Sequence, residues 1–287
     1  MLPAFELLRP ATLENALETL AATPKAFLIA GGTNLLVDAR AGKLTPDTVV
    51  DIGGLDELHG IEVTDTEIVI RSATTIAELL ASSVIEQHAF VLFSACKTFA
   101  NTLIRNRATI GGNLVNNAPC ADTAPALLVL NAEVELASVI GTRRVPLDEF
   151  LLEPFKTKRQ ANEILTAVRF PIPPETAVGR FQKMGLRKVS CMAKVDVALL
   201  LNFDDAGVCS DARIALGAVA PTPLRARDAE GVLAGRVLSE KLAHLVAEKA
   251  ADTAAPRVGS EYKQQVVAGL VRRLLVEIAD EVSDANA

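Results

Sequence analysis

Tryptophan is absent from this chain of 287 residues, and tyrosine occurs once. With so few rings, a surface for stacking nucleic-acid bases is poorly provided for. Soft metal ligands are scarce too. Three histidines (His59, His88, His244) and four cysteines (Cys96, Cys120, Cys191, Cys209) are scattered, with no C-x-x-C and no paired histidine. An iron–sulfur cluster needs several thiolates converging on one point, so the scatter argues against one built here and reads as buried, reduced thiols. Basic residues are not in excess: 29 Lys and Arg stand against 35 Asp and Glu, a net charge of -6. A nucleic-acid or anionic-membrane partner would call for the opposite sign. No segment approaches the roughly 18 uncharged apolar residues of a membrane span. Glu6, Arg9, Glu14 and Glu18 interrupt the first 25 residues, so no signal peptide is expected. The expectation is a soluble cytoplasmic protein.

Apolar residues make up 50% of the chain, ample material for a core shared among two or three subdomains. Residues 12–22, TLENALETLAA, predict an amphipathic helix with Thr12 as its N-cap. Apolar runs at 25–36 and 47–55 predict strands that end in glycines. A new unit begins near residue 58, with a strand over 66–73 and a helix over 74–80 opened by a Thr75–Glu78 capping box. Residues 84–104 read as a long helical stretch, 126–147 as a helical turn and a hairpin around Gly141, and 162–173 as a strand stopped by prolines. From about 178 a third unit follows. Its two strong strands over 195–220 flank a D-D-A-G turn, and helices cover 226–234, 238–252 and 260–281.

Two stretches share one pattern. LIAGGTNL (28–35) and ATIGGNLV (108–115) both run from an apolar strand-like segment into Gly-Gly and then a small hydroxyl or amide residue. Glycines let the backbone turn tightly and present bare N–H groups, and two such nests could clasp a diphosphate from both sides. Neither matches the dinucleotide G-x-G-x-x-G or the P-loop pattern, and each alone is equally a tight turn. The second continues as ATIGGNLVNNAPCAD (108–122), too polar for a core and too poor in charge for an ordinary solvated loop.

Taken together, AGGTNLL, SATTIAEL and TIGGNLVNNAPCAD resemble the FAD-binding medium subunit of the molybdenum hydroxylases, the family of xanthine dehydrogenase and carbon monoxide dehydrogenase. The resemblance covers nearly the whole chain. It extends through PAFELLRPATLENALETLA, FANTLIRNRATIGGN, NEILTAVRFPIP and FQKMGLRK to ARIALGAVAPTPLRARDAE and SEYKQQVVAGLVRRLL. It implies an α+β protein: a two-subdomain FAD-binding fold of the vanillyl-alcohol oxidase type (1–57 and 58–176) and a C-terminal flavoprotein domain (177–287). The last is expected as an antiparallel sheet with helices on one face.

The resemblance also implies roles. Leu28, Ile29, Ala30, Gly31, Gly32, Thr33, Asn34 and Leu35 would wrap the FAD pyrophosphate. Neither loop holds Lys or Arg, so amide dipoles would have to neutralise the dianion. Phe99 and Ala100 would line the cofactor. Thr109, Gly111, Gly112 and Asn113 would close the second nest, with Val115 near the isoalloxazine. Asp122 would bind the adenosine end, and Ile164 and Leu165 would pack beside the flavin ring. Lys183 would sit by the flavin pyrimidine, where a cation stabilises the anionic reduced form. Many relatives carry an Asp just downstream, where this chain reads Val189-Ser190-Cys191.

No acid, base or nucleophile is needed for such a role. The resemblance implies a molybdenum cofactor on a separate large subunit and two [2Fe–2S] clusters on a small one. Electrons would pass from these to FAD and on to an external acceptor; NAD+, oxygen, quinone and ferredoxin all remain open. Two alternatives stand beside it: a standalone FAD-dependent oxidoreductase of the same fold, and a structural subunit without FAD.

Overall fold

Thr12 opens the first helix as its sequence requires, its hydroxyl accepting the Asn15 N–H at 3.2 Å, and the helix runs Leu13–Ala22. This computed structural model describes residues 2–187, 190–255 and 259–285. The chain forms two units, each assembled from three separated segments. The first comprises residues up to Ser82, Ala100–Asn117 and Ala132–Pro171; the second comprises Ser83–Phe99, Ala118–Asn131 and the chain from Ile172 onward.

In the first unit, strands Glu6–Leu8, Thr48–Asp51 and Phe27–Ile29 make a parallel sheet with Thr48–Asp51 in the centre. A second, five-stranded antiparallel sheet has the order Ile61–Val63, Glu67–Arg71, Ile164–Pro171, Glu133–Ser138, Gly141–Pro146. The hairpin around Gly141 and the Thr75–Glu78 capping box of the helix Ile76–Ala81 both form. One apolar cluster joins Ala16, Leu20 and Val50 to Leu58, Ala73 and Ile164. Of the segments expected as subdomains, 1–57 and parts of 58–176 thus share a core in this unit, whereas 83–99 and 118–131 fall in the other.

Residues 84–104 do not form one helix. They form three, Ser83–His88, Phe90–Thr98 and Thr102–Arg105. Ala89 leaves helical geometry, Ala100 takes a left-handed φ of 40°, and the Asn101 side chain then caps a fresh start by accepting the Ile104 N–H at 3.0 Å. The change of direction at Ala100 is where the chain leaves the second unit for the first.

The second unit is built on an antiparallel sheet whose strands follow chain order: Ala177–Gly185, Ala193–Phe203, Cys209–Gly217 and Leu224–Arg225. Val195, Val197, Leu199 and Leu201 point to one face, where they pack with Val246 of the helix Glu240–Thr253 and Val267, Val271 and Leu275 of the helix Ser260–Ala285. That is the expected helical layer. The opposite face is covered as well, because earlier segments return to it: Gly179 lies against Val91 and Gly217 against Pro125. Hence every residue from Val195 to Leu201 is buried, leaving no polar–apolar alternation.

Candidate functional site

In the first unit, the strand Phe27–Ile29 runs out into Ala30 and the first glycine pair before the helix Leu35–Arg40 begins. Gly32 makes the turn with a φ of +70°, a conformation that disfavours any side chain. Gly31 is constrained differently: a β-carbon there would lie 1.8 Å from the Arg107 carbonyl oxygen and 3.2 Å from the Ala108 α-carbon. The two glycine-rich stretches are thereby brought backbone against backbone. Among the described residues, the N–H groups of residues 31–35 donate no hydrogen bond within the chain. Residues 28–33 are half-buried, and Asn34 is exposed and makes no side-chain cap. The stretch therefore offers a row of unspent backbone donors and no cation, which is the donor set that suits a diphosphate.

The second glycine pair reads alike and is built otherwise. Residues Ile110–Asn116 form a helix with Thr109 as N-cap. Its first N–H groups are engaged: Ile110 donates to the Thr74 carbonyl, Gly111 to the Ser72 carbonyl, Gly112 to the Thr109 hydroxyl and Asn113 to the Thr109 carbonyl. A β-carbon on Gly111 would come 2.7 Å from Ser72 Cβ. The two glycine stretches therefore differ in how their backbone donors are used. Only the first stretch has free donors; the second is a packed helix start whose preceding residues, Arg107 and Ala108, press on Gly31. Val115 is half-buried on this helix. At its far end Asn117 adopts φ 41°, and its side-chain amide donates to the Glu153 and Lys156 carbonyls at 2.8 and 2.9 Å, tying down the hairpin 151–157. Ile164 and Leu165 are buried, Ile164 inside the apolar cluster around Leu20, so its side chain has no free surface to offer a ring.

The second unit gathers a different set. Phe99 is buried at the end of the helix Phe90–Thr98, whereas its neighbour Ala100 belongs to the first unit. Lys183 Nζ donates to Asp122 Oδ2 at 2.7 Å and to the Thr98 carbonyl at 3.3 Å. Both side chains are almost wholly buried, 5% and 7% exposed. Burial pushes the Asp122 carboxyl up to about 6, even though the Lys183 ammonium pulls it down. The two residues given separate roles at the cofactor, Asp122 and Lys183, are thus bonded to each other in one buried ion pair. Sequence reading missed the third member of this group, Asp196, although one signal was available: a lone carboxylate inside the apolar run VDVALLL. Of the downstream trio, Val189 lies outside the described residues; Ser190 has a φ of 53°, and the Cys191 thiol donates to the Arg187 carbonyl.

Among the described residues no group of three or more His, Cys, Asp or Glu could hold a metal ion. Nor is any of their helices long and apolar enough to cross a membrane.

Residues 3–173 match the family described as the FAD binding domain in molybdopterin dehydrogenase. The chain belongs to that family. Residues 180–278 match a second family, the CO dehydrogenase flavoprotein C-terminal domain. The xanthine dehydrogenase FAD-binding subunit of Escherichia coli O157:H7 is 33% identical over 275 residues, 94% of each chain. The nicotinate dehydrogenase FAD-subunit of Eubacterium barkeri is 33% identical over 97% of each. Among solved structures, carbon monoxide dehydrogenase from Hydrogenophaga pseudoflava aligns with a TM-score of 0.91 at 29% identity, covering 95% of this chain and 96% of the other. The chain is thus an FAD-binding medium subunit of the molybdenum hydroxylase family, an oxidoreductase component.

Proposed function

We propose that this chain carries the FAD through which electrons leave a multisubunit molybdenum hydroxylase in the cytoplasm. Its partners would be a large subunit bearing the molybdenum cofactor and a small one bearing two [2Fe–2S] clusters, with NAD+ as an external acceptor. The observation that carries this reading is the stretch 31–35, whose unspent N–H groups are held in place by the Gly31–Arg107 contact.

Residues 28–35 would hold the pyrophosphate. Donors that are already oriented need no reorganisation when the anion arrives, and their dipoles stand in for absent cations. Thr109, Gly111, Gly112, Asn113 and Val115 act by shape: they fix the backbone against which the first stretch rests. In the second unit, Lys183 is the proposed cation for a reduced flavin, and Asp122 with the Thr98 carbonyl keeps its ammonium oriented. Phe99 and Ala100 supply apolar lining, and Leu165 contributes through its backbone. Bound FAD would supply the exchange between single-electron delivery and paired-electron release. The chain's own residues then bind, orient and balance charge, and none is required to move a proton to substrate.

The test is a visible spectrum with metal analysis of the complex purified under mild conditions. Flavin bands together with iron and molybdenum support the electron-exit role. Flavin without metals or partner chains points to a standalone flavoprotein, and failure to take up added FAD overturns the cofactor assignment.

A further inference from the structure

Lys183 and Asp196 stand directly opposite each other on neighbouring antiparallel strands. Side chains so placed have β-carbons about 5 Å apart, the spacing at which opposite charges ordinarily pair. These two do not. Lys183 Nζ turns instead to Asp122 Oδ2 and the Thr98 carbonyl, and both Asp196 carboxyl oxygens are buried without a hydrogen-bond partner. Asp122 Oδ1 is buried and unpartnered as well. On its other flank Asp196 faces Gly217, where a β-carbon would come 3.1 Å from Asp196 Oδ2 and 2.8 Å from Pro125 Cγ. The carboxyl therefore occupies the room that a glycine leaves.

Two buried acids thus stand beside one ammonium, and only one of them is bonded to it. A buried carboxylate with no partner is far costlier than the neutral acid. The groups that bear on Asp196 are few. Burial and the charge of Asp122 drive its carboxyl well above the ordinary range, while Lys183 acts in the other direction; the Cys120 thiol, itself raised by burial, adds no charge at neutral pH. The arrangement is therefore asymmetric: the ammonium is bonded to Asp122, and burial without a partner favours the neutral form of Asp196.

We propose that Asp196 is a positioning residue for Lys183: protonated, it leaves the ammonium to Asp122, and once its proton is lost to solvent it draws the ammonium across the strand pair and releases Asp122. The consequence for a flavin rests on the reading of Lys183 given above. The switch itself rests only on the three side chains.

The experiment uses the full chain with its aspartate carboxyls labelled with carbon-13, followed by NMR across pH 6 to 10. Asp196→Asn identifies the Asp196 resonance by its loss. In the parent protein that resonance should titrate well above the ordinary carboxylate range, with the Asp122 resonance moving in the same step. In Asp122→Asn, Lys183 has only Asp196 to pair with, so the Asp196 transition should fall by about one pH unit or more. An Asp196 resonance already ionised at pH 6, or one unmoved by Asp122→Asn, overturns the proposal. The same pH series with FAD bound adds a second readout: the flavin midpoint potential should change across the Asp196 step and lose that change in Asp196→Asn. If FAD fails to bind, the functional reading falls, and the carboxyl titration still decides the switch.

Discussion

Gly31 and Arg107 meet with no room for a single added carbon: a β-carbon on the first would lie 1.8 Å from the carbonyl oxygen of the second. Both contacting groups are backbone, so neither can yield by a rotamer change. Gly31→Ala should cost about 1–3 kcal/mol of stability, the range for overpacking, and should weaken FAD binding at least tenfold because residues 31–35 must shift. Gly54→Ala is the control, since an added carbon there meets nothing within 4 Å. Thermal unfolding and calorimetric FAD titration of both variants check this. Equal behaviour of the two would remove the contact from the site.

Arg225 and Glu230 form a fork of two bonds, 2.5 and 2.9 Å, between side chains that are each 10% exposed, and Glu230 also accepts the buried Ile214 N–H. Arg225 further donates to the Leu128 carbonyl and to Asn131. Glu230→Ala strands a buried guanidinium and a buried amide together. Losses of about 3–5 kcal/mol are usual for half of a buried pair. Denaturant unfolding should show a lower midpoint with little change in slope.

Asp122 gives stability a definite dependence on pH. Its carboxyl lies near 6 in the folded chain against an ordinary 3.8, so between those values the folded state holds a proton that the unfolded state has lost. Stability from this group therefore falls as pH rises through that window and then levels off. Asp122→Asn stays neutral throughout. The stability difference between variant and parent should swing toward the variant by on the order of 2–3 kcal/mol between pH 4 and pH 6, then hold steady until Asp196 begins to titrate. A flat difference would show that Lys183 fully offsets the burial of Asp122.

Asn117→Ala removes two bonds to the carbonyls of Glu153 and Lys156 and places a β-carbon residue at φ 41° without the amide that favours it. A loss of about 1–3 kcal/mol is expected. Protease cleavage within 151–157 should quicken in the native state, which a general loss of stability alone would not confine to that hairpin.

Features that depend on a few adjacent residues were legible in the sequence. Thr12 and Asn15, Thr75 and Glu78, and the turn at Gly141 each complete their own hydrogen bonds within a handful of positions. The two glycine pairs show where that legibility stops. They read alike, yet two donors of the second, Ile110 and Gly111, are consumed by Thr74 and Ser72, residues whose nearness is a matter of tertiary packing. Nor could spacing reveal that Lys183 passes over the residue facing it on the next strand to reach Asp122. The break at Ala100 was hidden for a related reason: an alanine inside an apolar run signals helix, and only the departure of the chain toward another core forces it left-handed.

Because the chain passes back and forth between its two units, neither can be completed in the order in which it is synthesised. Residues 83–99 and 118–131 leave the ribosome well before the strands that will cover them, carrying Val91, Leu92 and Leu127, each buried to within 1% in the finished protein. Until the sheet that begins at Ala177 arrives, those segments lack the strand against which Val91 finally rests. The first unit meanwhile cannot close before Pro171. A nascent chain of this protein must therefore hold the apolar face of residues 83–99 without its final covering strand until Ala177 and beyond have been made.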